Sequence, residues 1–158
     1  MYILQSCSQP HLSSAARSLR LVPATGRFVL STLLDIAVID DDASVRAATN
    51  NLLTSHGYIV QTFASAEEFL RSNQMRDASC IVADVHMPAM SGLDLLIHMR
   101  AQGHRAPFIF ITAFPDENVR TRALKAGAIC FLGKPFASPT LIKCLDTALE
   151  AHCGRADT

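Results

Sequence analysis

From Asp35 onward the chain repeats one pattern five times: a short apolar run, too short for a helix, then a segment whose apolar residues recur at helical spacing. The runs Ile36-Ala37-Val38-Ile39 and Cys80-Ile81-Val82-Ala83 are unbroken, the first reading as a buried central strand, and Phe108-Ile109-Phe110-Ile111 and Ile129-Cys130-Phe131-Leu132 read as the fourth and fifth strands. Tyr58 to Phe63 differs, because Gln61 and Thr62 give it a wet side, and it reads as an edge strand. Val45, Ala48, Leu52 and Leu53 mark the first helix, closed by His56-Gly57; Ser65 caps a second carrying Ala66, Phe69 and Leu70. Leu93, Leu96, Ile97 and Arg100 mark the third. Pro115 sits in the first turn of the fourth, which ends at Ala126-Gly127, and Leu141, Cys144, Leu145, Ala148 and Leu149 line the fifth. A parallel crossover needs a helix and is right-handed, so the reading is α/β: a (βα)5 doubly wound, five-stranded parallel sheet with helices on both faces.

Composition bounds what such a domain can do. A chain of 158 residues, 49% apolar, suits one domain with a real core. Its formal net charge of zero lacks the clustered Lys and Arg of a nucleic-acid surface, so no direct nucleic-acid partner is expected. Five cysteines, odd in number and without Cys-x-x-Cys spacing, read as small buried hydrophobes in a reducing cytoplasm. The six histidines show no paired-ligand spacing, which speaks against zinc. No apolar stretch is long enough to cross a membrane.

Residues 1–34 stand apart, with Arg17, Arg20 and Arg27, six serines and no acid. They read as an extension outside the fold: a disordered tail or translation from an upstream start, in preference to a transit peptide. Part of Phe28 to Leu34 is expected to extend or cover the first strand. The domain itself is placed at 35–152, with a tail at 153–158.

Ligands of open parallel sheets bind beyond the carboxyl ends of the strands. Those ends are polar here: Asp40-Asp41-Asp42 after the first strand, Asp84 after the third, Thr112 after the fourth and Lys134-Pro135 after the fifth. A carboxylate at Asp84 can attack phosphorus in line and form an acyl phosphate. With Asp40 and Asp41 about 5 Å away, at an effective dielectric near 20, each pair repels by roughly 3 kcal/mol. A hard divalent cation relieves that repulsion, and Mg²⁺ suits a site built from carboxylates, a carbonyl and phosphoryl oxygens. Lys134 offers a point charge to the phosphoryl oxygens and a resting partner to Asp84. Thr112 offers a hydroxyl donor. Phe114 lies where water would approach the phosphoryl group and is expected to slow hydrolysis. Asp42 is near the start of the first helix, where a negative charge suits the helix dipole.

Val38-Ile39-Asp40-Asp41-Asp42 with Arg46, Asp84-Val85-His86-Met87-Pro88 with Gly92, Thr112-Ala113 and Lys134-Pro135-Phe136 together resemble the receiver domain of bacterial two-component response regulators, over residues 35 to 150. The resemblance implies a flavodoxin-like strand order of 2-1-3-4-5 and Asp84 as phosphoacceptor. It implies Mg²⁺ bound by Asp41, Asp84 and the main-chain carbonyl of His86, with Asp40 acting through water, and a cis bond before Pro135. It also implies that Thr112 and Phe131 couple phosphorylation to the face formed by the fourth helix, fifth strand and fifth helix. Phe stands at 131 where Tyr is frequent, so no hydroxyl reports the ring's position. The His86 side chain is expected at the pocket mouth, where it influences hydrolysis.

The expected partners are a histidine kinase or histidine phosphotransfer protein as donor and a downstream protein effector, with homodimerisation through the same face as another route. Too few residues follow the fifth helix for an output domain, so the chain reads as a stand-alone receiver that catalyses only its own phosphorylation and dephosphorylation. Two alternatives differ from this reading at named positions. A phosphorylation-independent interaction module would be expected to lack one of Asp41, Asp84, Thr112 and Lys134. An aspartyl-phosphate hydrolase usually carries an Asp at the position occupied here by His86.

Overall fold

The computed structural model describes residues 19–24, 27–32 and 34–153. Contacts divide the chain into two units, 1–33 and 34–158. The first contains a hairpin of β1 (Leu19–Ala24) and β2 (Arg27–Thr32), antiparallel from Leu19↔Thr32 to Ala24↔Arg27. Of the stretch Phe28 to Leu34, expected in part to extend or cover the first strand of the sheet, Leu34 does reach it: its carbonyl accepts from the Ile59 amide at 3.2 Å. Residues 28–32 take their backbone partners from 19–23.

The second unit is the expected doubly wound domain. Its elements are β3 (Asp35–Ile39), α1 (Ala43–Ser55), β4 (Ile59–Phe63), α2 (Ala66–Arg71), α3 (Gln74–Asp77), β5 (Cys80–Asp84), α4 (Gly92–Ala101), β6 (Phe108–Thr112), α5 (Glu117–Lys125), β7 (Cys130–Gly133) and α6 (Ser138–Cys153). The sheet runs β4-β3-β5-β6-β7, all parallel, which is 2-1-3-4-5 counted within the domain.

Alternation along each strand divides the core in two. Ala37, Ile39, Ile81, Ala83, Phe108 and Phe110 point toward the layer containing α2, α4 and α5. Ile36, Val38, Cys80, Val82, Ile109 and Ile111 point toward Leu53 of α1 and the Leu141, Cys144, Leu145, Ala148 and Leu149 stripe of α6. β3, β5 and β6 are almost wholly buried, whereas β4 exposes Gln61 and Thr62 as an edge strand should.

Helix ends follow side-chain chemistry. Asp42 caps α1 by accepting from the Ser44 and Val45 amides at 2.8 and 3.3 Å, and Gly57 turns left-handed just beyond its end. Ser91 and Asp94 form a reciprocal capping box on α4. Three sequence readings move by a residue or so. α1 buries Thr49 while Ala48 is exposed, and α4 buries Leu95 and Met99 while Ile97 is exposed. Pro115 precedes α5, whose cap is Asp116, accepting from Asn118 and Val119.

Candidate functional site

Register assembles the site. Ile39 lies beside Ala83, Asp84 beside Ile111 and Thr112 beside Gly133, so Asp40, Asp84, Thr112 and Lys134 emerge along one carboxyl-terminal edge. Carboxylate oxygens of Asp40, Asp41 and Asp84 lie within 4.8 Å of one another. Asp40 is wholly buried, Asp84 nearly so, and Asp41 is exposed.

Lys134 Nζ stands 3.0 Å from Asp40 Oδ2 and 4.0 Å from Asp84 Oδ2. Asp40 is thus the nearer partner, and Asp84, the partner expected from the sequence, is the farther of the two ion pairs. The reason is burial. A carboxylate with no contact with water must be matched inside the protein, and Asp40 is the deeper of the two. The other Asp40 oxygen accepts from the Asp42 amide at 2.9 Å, and the Arg46 guanidinium donates to the Asp40 carbonyl at 2.6 Å. Burial is the main force raising the Asp84 carboxyl above its ordinary range; Lys134 opposes it, Asp40 adds to it, the His86 amide bond opposes it and Asp41 adds to it. That amide donates to Asp84 Oδ1 at 3.3 Å.

The turn after β5 passes through Ala89 at a left-handed φ of 64° and returns at Gly92, whose amide donates to the Val85 carbonyl at 3.0 Å. A side chain at position 92 would place its Cβ 2.2 Å from the Asp84 carbonyl oxygen. Glycine is needed here for close approach, so α4 can begin directly beneath the acid.

Thr112 is wholly buried. Its hydroxyl accepts from the Phe114 amide at 3.2 Å and pairs with His86 Nδ1 at 3.1 Å. The exposed Phe114 ring meets the His86 ring edge-on, 6.1 Å between centroids. Phe131 is half-buried on β7, edge-on to Phe110 at 6.4 Å, and the Lys134–Pro135 bond is cis. Asp42 serves as the α1 cap.

The oxygen-only donor set of Asp40, Asp41 and Asp84 fits a hard divalent cation, and three carboxylates matched by one ammonium leave negative charge to be neutralised. A separate cavity of about 650 Å³, lined in part by Arg100, Arg105, Lys125 and His152, lies at the amino-terminal ends of β6 and β7 and does not reach the acids. Among the described residues, no helix is long and apolar enough to cross a membrane.

A parallel sheet with acids, a hydroxyl and an ammonium at its carboxyl edge defines the class of doubly wound α/β domains with a polar site at that edge. Within that class, the family model described as response regulator receiver domain matches residues 36–146, and the chain belongs to that family. Nodulation protein W of Bradyrhizobium diazoefficiens is 38% identical over 79% of this chain and 55% of its own length. Transcriptional regulatory protein FixJ of the same organism is 38% identical over 77% and 59%. The structure of Vibrio cholerae chemotaxis protein CheY4 superposes with a TM-score of 0.68 at 29% identity, covering 74% of this chain and 99% of that one. The chain spans a little over half the length of the two curated relatives. Receiver domains are signalling switches of two-component systems rather than classical enzymes.

Proposed function

We propose that this receiver is a phosphorylation-activated switch in which Asp84 accepts a phosphoryl group from a phosphohistidine on a histidine kinase or histidine phosphotransfer protein. The observation that carries this reading is the gathering of Asp40, Asp41 and Asp84 within 4.8 Å, with Lys134 bridging two of them. An Asp84 carboxylate oxygen attacks phosphorus in line, the bond to the donor imidazole breaks, and an acyl phosphate forms. Asp41, Asp84 and the His86 carbonyl would hold Mg²⁺, with Asp40 acting through water, and the bound ion would supply positive charge to the phosphoryl oxygens. Lys134 supplies a further positive charge, and Thr112 donates its hydroxyl to a phosphoryl oxygen. Beyond this self-modification no turnover of other substrates is proposed.

The switch reaches its partners through α5, β7 and α6, with Phe131 as the moving ring. The relatives named as transcriptional regulators extend well beyond the matched region. The output element is accordingly proposed to be a protein surface, on this polypeptide or another, with self-association through the same face as one form of it. The receiver itself is proposed to act in the cytoplasm without contacting nucleic acid, which its balanced charge supports.

Incubation with acetyl phosphate and Mg²⁺ is expected to add the mass of one phosphoryl group, and chelation of the metal to prevent it. No adduct in the presence of metal would refute the reading.

Two further outcomes follow. In chelator, Asp41→Ala is expected to raise stability. The pair repulsion of about 3 kcal/mol at 4.8 Å is cut to roughly 1 kcal/mol by the exposure of Asp41. Thermal melting should therefore rise by about 3 °C, and the further rise that Mg²⁺ gives the wild type should shrink; a clear fall in chelator would contradict the clustering. Phe114→Ala is expected to shorten the acyl-phosphate lifetime several-fold, because it opens the water approach beside His86. An unchanged decay rate in a phosphate-release assay would count against that role.

A further inference from the structure

We propose that the His86 imidazole is a positioning residue that holds the Thr112 hydroxyl in the resting chain, so that phosphorylation must break this bond before Thr112 can donate to the phosphoryl group. The inference rests on Asp84 as the phosphoacceptor and adds a resting-state brake to that reading.

The argument starts from a single proton. A threonine hydroxyl donates once and accepts up to twice. At Thr112 one lone pair is taken by the Phe114 amide at 3.2 Å. The candidates for its proton are the Phe114 carbonyl at 3.5 Å, the outer limit of such a bond, and His86 Nδ1 at 3.1 Å. The brake assigns the proton to the nearer Nδ1, which places the ring proton on Nε2. Thr112 is wholly buried, so water does not satisfy its hydroxyl, while His86 is exposed and would otherwise turn freely. Phe114 restrains it: its ring stands at 87° to the imidazole, 6.1 Å away, on the same short loop whose amide binds Thr112. Hydroxyl, imidazole and phenyl ring form a closed set.

A phosphoryl oxygen bearing negative charge competes for the same proton and makes the stronger bond, so phosphorylation releases the set. A bond of ordinary net strength corresponds to about a fivefold shift in the equilibrium it opposes. His86 thereby lowers basal switching without touching Asp84 through its side chain. The brake is side-chain chemistry only, separate from the backbone carbonyl proposed for the metal.

The test is a two-by-two comparison using beryllofluoride with Mg²⁺ as the phosphoryl stand-in, its affinity read by fluorine NMR. His86→Phe keeps a ring beside Phe114 and the backbone carbonyl but removes the acceptor. It is expected to tighten beryllofluoride binding about fivefold, and the gain should vanish in a Thr112→Ala background. An unchanged affinity, or a gain that persists without the hydroxyl, overturns the proposal. Imidazole nitrogen spectra of the resting protein test the bond without any ligand: the Nδ1 resonance should show an accepting nitrogen that shifts on Thr112→Val. An Nδ1 resonance insensitive to that change also overturns it. An Nδ1 resonance that shifts on Thr112→Val, in a protein whose wild type binds no beryllofluoride, would overturn both the phosphoacceptor reading and the brake, while leaving the bond itself intact.

Discussion

Asp84→Asn is expected to abolish phosphoryl uptake from acetyl phosphate completely while leaving the domain folded. An amide of the same shape fills the space but offers no anionic nucleophile. Stability should not suffer. Asp84 is buried beside two other carboxylates, and its ionised form is disfavoured chiefly by that burial. A neutral side chain removes the desolvation cost and the repulsion at the loss of a distant contact to Lys134, which keeps Asp40 as its closer partner. Metal-free melting temperature should therefore hold or rise as reactivity disappears. A variant that still gained one phosphoryl mass would move the acceptor elsewhere.

Gly92→Ala is expected to be the most damaging single methyl group in the domain. The added Cβ would lie 2.2 Å from the Asp84 carbonyl oxygen and 3.0 Å from Phe110 Cε1. Neither obstacle yields easily: one is backbone of a fully buried strand, the other a ring with no solvent exposure. Overpacking of a tight core costs about 1–3 kcal/mol, and a backbone obstacle puts this position at or above the upper end. A loss of about 3 kcal/mol corresponds to a fall of roughly 10 °C in melting temperature for a domain of this size. Circular dichroism melting reads it directly, and a shift of less than about 2 °C would show that α4 can retreat from β5 without strain. Because the obstacle is the Asp84 peptide itself, phosphoryl uptake should fall as well.

Much of the architecture was legible because parallel strands packed under helices leave unbroken apolar runs, and four stand out between polar segments: those of β3, β5 and β6, buried on both faces, and that of β7, a half-buried edge strand. Their order in space was not legible from those runs; it came from the family resemblance. Helix faces were read less sharply. In α1 the alanines at 43, 47 and 48 are too small to mark a side, and the inward position fell to Thr49. In α4 the neighbours Leu95, Leu96 and Ile97 are all apolar, so periodicity alone did not show that Ile97 faces water. The four-residue α3 is too short to leave a period at all.

The site was legible for a related reason. A polar residue closing an otherwise apolar strand has only the sheet edge to occupy, and Asp40, Asp84, Thr112 and Lys134 all do this. What the residues do with one another was not written there. The preference of Lys134 for Asp40 depends on which acid lies deeper, and the contact from His86 to Thr112 depends on one rotamer spanning two loops. Thr49, Lys134 and His86 share one lesson: residue type places a side chain on an edge or a helix, and depth and direction decide its partner.

The central claim is that the carboxylate ending β5 is the atom group that captures phosphorus. Borohydride reduction of the protein after exposure to acetyl phosphate and Mg²⁺, followed by peptide sequencing in a mass spectrometer, reads it most directly. The account predicts reduction of the side chain at position 84 to an alcohol, in that peptide alone and only when metal is present. Reduction at another acid, or an untouched position 84 in protein that has gained phosphoryl mass, would contradict it.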